Sequence, residues 1–162
     1  MTSPPVDATP ESRLRGLGLV LPPQQQPAGC YCPVVVDGTL ALVSGHGPLP
    51  ADVAGDTGRV GAEVGVLRAR ELARDAALHC LSSLRAAIGS LDRVGRVLRL
   101  AGMVCAVDGF VDHPAVIDGA SELLLEVFGE RGRHSRYAVG VASLPFGIPV
   151  ELELTVRLRG SG

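Results

Sequence analysis

Two residue types with complementary chemistry lie close together near the end of this chain. Arg136 and Glu151 bracket the stretch Arg-Tyr-Ala-Val-Gly-Val-Ala-Ser-Leu-Pro-Phe-Gly-Ile-Pro-Val-Glu-Leu-Glu-Leu, which runs to Leu154. A guanidinium can grip a carboxylate through two parallel N–H bonds. A nearby carboxylate can manage protons or position a water. Together these are tools for hydrolysing a small, acid-bearing substrate. Glu153 follows Glu151 at period two, so both point to one strand face, and one of the pair has only a solvated or ion-paired role.

The elements that must position these groups are readable from periodicity. Tyr137–Leu144 and Val150–Leu158 read as strands joined by a Pro/Gly loop. Upstream, Tyr31–Val36 and Thr39–Ser44 form a hairpin around Asp37-Gly38, a two-residue turn signal. Gly45–Gly65 reads as a long loop rich in glycine, proline and aspartate. Val66–Ile88 has helical spacing, with Leu67, Leu72, Ala76, Cys80, Leu81 and Leu84 on one broad face and Gly89 as C-cap. From Val94 to Val107 the pattern is that of one long strand, apolar enough for cover on both faces over part of its length. Ala115–Phe128 is a second helix that stops at Gly129, and Glu130–Ser135 a loop. Thr9-Pro10-Glu11-Ser12 carries a cap and a proline at the first helical position, starting a short helix that stops near Gly16 or Gly18. Residues 1–10 are read as a flexible tail and 11–160 as a single domain. Helices grouped with hairpins predict an α+β sandwich, a mixed sheet with two helices on one face.

Composition narrows the chemistry. At 162 residues and 46% hydrophobic content the chain can bury an ordinary core. Its fifteen basic residues are all arginine. Without lysine there is no Schiff-base, pyridoxal-anchoring or P-loop lysine. A net charge of −2 gives no reason to expect nucleic acid or an anionic membrane as partner. With 3% aromatics the core falls to Val, Leu and Ala, and part of the apolar excess is expected to face neighbouring subunits. There is neither a run of about 18 apolar residues nor a secretory leader pattern, so a cytoplasmic location is expected. Cys30-x-Cys32, Cys80 and Cys105 lack thioredoxin or zinc spacing and are expected as buried, reduced thiols. His79 and His113 lack a metal-like partner and are read as structural.

The element order and five corner motifs resemble the Rid (YjgF) family, the reactive-intermediate imine deaminases. The motifs are Gly29-Cys30-Tyr31, Val43-Ser44-Gly45-His46, Gly89-Ser90-Leu91-Asp92-Arg93-Val94, Phe128-Gly129-Glu130, and Arg136 through Glu153. The resemblance runs from about Leu21 to Arg159, in a branch with a longer N-terminal helix. It implies a chorismate-mutase-like homotrimeric barrel with clefts between subunits. It further implies hydrolysis of 2-imino or enamine acids to 2-keto acids and ammonia, with no metal or organic cofactor.

By that resemblance, Arg136 clamps the substrate carboxylate and Glu151, rather than Glu153, positions or activates water. Tyr31 closes over the substrate or simply packs, and Ser44 is the serine of a turn that here ends in His46 instead of glutamine. His46 then either hydrogen-bonds like that glutamine, titrates near neutral pH, or is a solvated loop histidine. Two further departures concern the same site. Ala138 stands where the family has cysteine, and Asp118 stands where many relatives have asparagine, placing an anion near an acid-binding cleft or facing solvent. These departures keep open a catalytically altered carboxylate-binding or regulatory module, and a relative repurposed for another metabolic or secondary-metabolite step.

Overall fold

The computed structural model describes residues 8–48 and 56–160. Thr9 caps the first helix, α1 (Pro10–Gly16), by accepting from Ser12 N–H. Pro10 is the buried first residue of this helix, where the cap-and-proline signal places it; residues 1–7 lie outside the described residues. The helix is moored at its start. Asp92 Oδ1 accepts from Glu11 N–H at 2.9 Å, and Glu11 Oε1 accepts from Leu91 N–H at 3.0 Å.

Strands β1 (Val34–Asp37) and β2 (Leu40–His46) pair antiparallel, with Asp37 opposite Leu40. The two turn residues are therefore Gly38 and Thr39, one step later than Asp37-Gly38. Gly38 has φ 58° while no positive φ occurs at Thr39, so the first turn position is the one that needs glycine. Next come α2 (Val66–Ile88), β3 (Val94–Cys105), α3 (His113–Phe128), β4 (Ser135–Val141) and β5 (Val150–Leu158). The long-loop reading gives way at both ends, since Gly45 and His46 belong to β2 and Val60 bridges to Val64 and Ala106; residues 49–55 lie outside the described residues. Helix α3 begins two residues before Ala115, and the segment after it forms a single 3-10 turn, Gly129–Gly132.

The five strands are ordered β1-β2-β5-β3-β4, with β3 and β4 parallel and the other pairs antiparallel. The parallel pair requires a crossover, which α3 supplies. Both long helices cover one face, giving the α+β, chorismate-mutase-like architecture. On that face Ala41, Val43, Leu100, Leu152, Leu154 and Val156 are buried against Leu72, Leu81, Leu84, Ile117 and Leu124. Burying each leucine or valine stabilises the fold by about 1.5–3 kcal/mol. Leu67 does not join them; it lies at the start of α2, 80% exposed. Helix α3 approaches α2 closely because Gly119 has no β-carbon to strike the Arg70 carbonyl. Ion pairs Arg70–Glu122 and Arg74–Glu126 then clip the two helices together. Among the described residues no helix covers the opposite sheet face, and Leu40, Leu42, Tyr137 and Val139 are exposed.

Candidate functional site

Arg136 lies on edge strand β4, and its side chain turns toward α3. Its Nη1 donates to Asp118 Oδ1 at 2.7 Å and to Ser121 Oγ at 3.1 Å. Asp118 and Ser121 are three apart in α3, so helical spacing stacks both beneath the arginine. The Nε and Nη2 edge has no partner among the described residues. Ala138 follows on the same strand face, and Gly140 after it leaves room for His113, which packs edge-on against Phe110. Had Asp118 faced open solvent alone, the arginine would be unpaired; instead it is tied down with one bidentate edge spare.

Glu151 faces the other way. On β5, Leu152 and Leu154 point into the core, so Glu151 and Glu153 point to the helix-free face. There they join Tyr31, Leu42, Ser44 and Phe146 around a cleft of about 1270 Å³. Glu151 lies over the irregular step in β2 between Val43 and His46, where a β-carbon at Gly45 would collide with its Oε1. Burial pushes the Glu151 carboxyl above the usual carboxylate range, and among the described residues no hydrogen bond or ion pair offsets that cost. Glu153 shares the cleft but is exposed. The face does not separate the two glutamates; burial does.

The remaining cleft wall is built from hydrogen bonds. Tyr31 is 48% exposed and its hydroxyl accepts from Ala28 N–H at 3.2 Å. Ser44, which lines the cleft, donates from Oγ to the Cys32 carbonyl at 2.7 Å. His46 is not a solvated loop residue. It is 3% exposed at the end of β2, with Nδ1 2.6 Å from the Ser44 carbonyl and Nε2 2.8 Å from Ser83 Oγ. A carbonyl only accepts, so Nδ1 carries the hydrogen and Nε2 takes the serine's. Burial lowers its pKa, which keeps the ring neutral. His46 is thus a strut behind Ser44 rather than part of the cleft surface. His79, read as structural, lines the cleft with a buried Nδ1 that has no partner among the described residues, and burial lowers its pKa too.

The structure therefore brings Tyr31, Ser44 and Glu151 together in one cleft and Arg136 with Asp118 at another place. Residues to which the sequence reading gave no role of their own are Ser121, Gly45 and Phe146. Ser121 had a signal in its spacing from Asp118. Phe146 had little: its φ of 59° is strained for a non-glycine residue, and it holds an aromatic ring 66% exposed at the cleft mouth. Cys30 and Cys32 depart from the expected buried thiols, being exposed in the bend beside Tyr31, whereas Cys80 and Cys105 are buried and all four are free.

The description "YjgF/chorismate mutase-like, putative endoribonuclease" matches residues 11–151. This chain belongs to the YjgF family. It is 44% identical to Protein TCP17 of Trypanosoma cruzi over 150 residues, covering 91% of this chain and 93% of that one. The structure of Atu1372 from Agrobacterium tumefaciens, described as of unknown function, superposes with a TM-score of 0.83 at 40% identity, covering 93% and 92% of the two chains. A "putative endoribonuclease" from Shewanella oneidensis superposes at 0.87 with 35% identity, covering 93% and 99%. Membership supports a small-molecule-processing or endoribonuclease-like role. No helix of the described residues is long and apolar enough to cross a membrane.

Proposed function

We propose that this protein hydrolyses a small 2-imino or enamine acid to the 2-keto acid and ammonia, in clefts between the subunits of a homotrimer. The observation that carries the reading is the division of the site. Arg136 faces the helices from an edge strand, and Glu151 faces the uncovered side two strands away, about 10 Å across the sheet. One copy cannot close both around a small molecule, but one copy's edge can meet the next copy's cleft. The exposed apolar side chains of the uncovered face are suited to such packing.

In the assembled site the Nε and Nη2 edge of Arg136 holds the substrate carboxylate. Ser44 and Tyr31 shape the opposite wall. Glu151, in its ionised form, takes a proton from water as the oxygen adds to the imine carbon. Glu151 passes that proton to the imine nitrogen, giving the carbinolamine; it then takes the hydroxyl proton and delivers it to the amine as the C–N bond breaks, releasing ammonia and leaving the keto acid. Imines hydrolyse unaided, so orientation and charge placement suffice for a modest acceleration. Ala138 leaves this water-based route intact.

Asp118 favours a second reading, since its carboxylate neutralises the clamp. A carboxylate-binding or regulatory module would keep the cleft without turnover. The charge of −2 weighs against RNA as substrate. The deciding assay follows decay of freshly generated 2-aminoacrylate. Wild type should accelerate it and Arg136→Ala should not; equal rates would sink the deaminase reading, and keto-acid binding without turnover would install the second.

A further inference from the structure

We infer that Ser121 and His134 are positioning residues that set the direction of the Arg136 clamp. The inference rests on the carboxylate-clamp reading of Arg136.

The argument follows the hydrogens. His134 Nδ1 lies 2.6 Å from the Gly132 carbonyl, which can only accept, so Nδ1 carries the ring hydrogen. In the neutral ring Nε2 must then accept, and its neighbour at 3.0 Å is Ser121 Oγ. The serine hydroxyl is therefore spent on His134, and its lone pair is presented to Arg136 Nη1 at 3.1 Å. Arginine has no acceptor, so the chain has one consistent direction: Arg136 donates to Ser121, Ser121 to His134, and His134 to Gly132. Reversing any link would set two donors or two acceptors face to face.

The end of the chain is anchored. Gly132 is buried in the turn after α3, pressed so close to the Leu124 carbonyl that a β-carbon would collide with it. Arg131 ties the same turn to β3 by donating from Nη1 to the Val94 carbonyl at 3.2 Å. The arginine is thus held by Asp118 and by a neutral post, both on Nη1. That leaves Nε and Nη2 as the only paired donors for a ligand. Asp118 alone would leave the guanidinium plane free to swing about a single contact; Ser121 removes that freedom. The pair acts through Arg136, not on the reacting atoms.

The test uses the assembled protein and 2-oxobutanoate as carboxylate probe, with calorimetric binding, imine-hydrolysis kinetics and thermal unfolding measured side by side. Ser121→Ala should weaken binding about tenfold, the scale of a hydrogen bond to a charged group. It should raise KM with kcat little changed, and Ser121→Thr should restore most of the loss. His134→Phe should act only through the serine, so Ser121→Ala/His134→Phe should bind no more weakly than Ser121→Ala. Binding unchanged in Ser121→Ala overturns the inference while leaving the clamp. A wild type that binds no keto acid overturns the clamp and the inference together. Nitrogen-15 spectra at pH 8 give an independent reading: hydrogen on Nδ1 of His134 supports the chain, and hydrogen on Nε2 overturns it.

Discussion

The two halves of the site are electrostatic opposites. At the β4 edge, Arg136 is paired, braced and fixed by Asp118 and Ser121 before any ligand arrives. In the cleft, Glu151 is half-buried with no partner among the described residues, and its pKa is raised by desolvation alone. One half has its charge satisfied; the other carries an unmet cost. A residue that binds can be held at little expense, since the ligand only exchanges water for contacts. A residue that must change protonation gains from an environment that makes both states accessible. Under the proposed function, the contrast suits recognition at the edge and proton handling in the cleft.

The largest effect would come from breaking one half in each of two chains. Arg136→Ala and Glu151→Gln should each lose imine turnover as pure proteins. Co-expressed in equal amounts, they should regain activity, because a trimer with random composition pairs an intact arginine with a neighbour's intact glutamate in about a quarter of its sites. Zero recovery in verified mixed trimers would mean that the halves do not meet across subunits.

Much of the fold was legible in the sequence, the division of the site was not, and the failures have physical causes. The strand pair from Arg136 to Glu153, both long helices and the glycine stops at Gly89 and Gly129 follow from periodicity and from left-handed backbone positions. Strand alternation also put Glu151 and Glu153 on one face. It could not say that Arg136 faces the other side, because that depends on which strands become neighbours. The sequence left His46 open between a hydrogen-bonding, a titrating and a solvated residue, because the partner that buries it, Ser83, lies 37 positions away in α2. Leu67 fitted the helical pattern but lies in the first turn, before α2 reaches the sheet. The turn shifted by one residue because the register of β1 on β2, not composition, decides which two residues stay unpaired.

A smaller effect would sharpen the edge half. Asp118 competes with any ligand carboxylate for the same guanidinium, and the pair is partly exposed, with side chains 23% and 45% accessible. Asp118→Asn keeps a hydrogen-bond acceptor for Nη1 while removing the charge. Binding of 2-oxobutanoate should then tighten by up to about fivefold, the range expected of a partly exposed ion pair. Weaker binding would reverse the assignment, making Asp118 a brace whose charge is needed to hold Arg136 in place.

The smallest effect isolates the cleft half. For Glu151 the folded-state pKa lies above the unfolded one, because burial disfavours the ionised form. Below the unfolded pKa both states hold the proton and there is no penalty. As pH rises through the folded pKa, the native state must carry a poorly solvated charge and stability falls. Glu151→Gln, which cannot ionise, should therefore raise the unfolding temperature at pH 7, and the gain should vanish below about pH 4, where glutamate is protonated in both states. Glu153→Gln, at an exposed position on the same strand face, should change little at either pH. A stabilisation equal at both pH values would trace to packing instead of charge, and the contrast between a satisfied arginine and an unsatisfied glutamate would lose its second half.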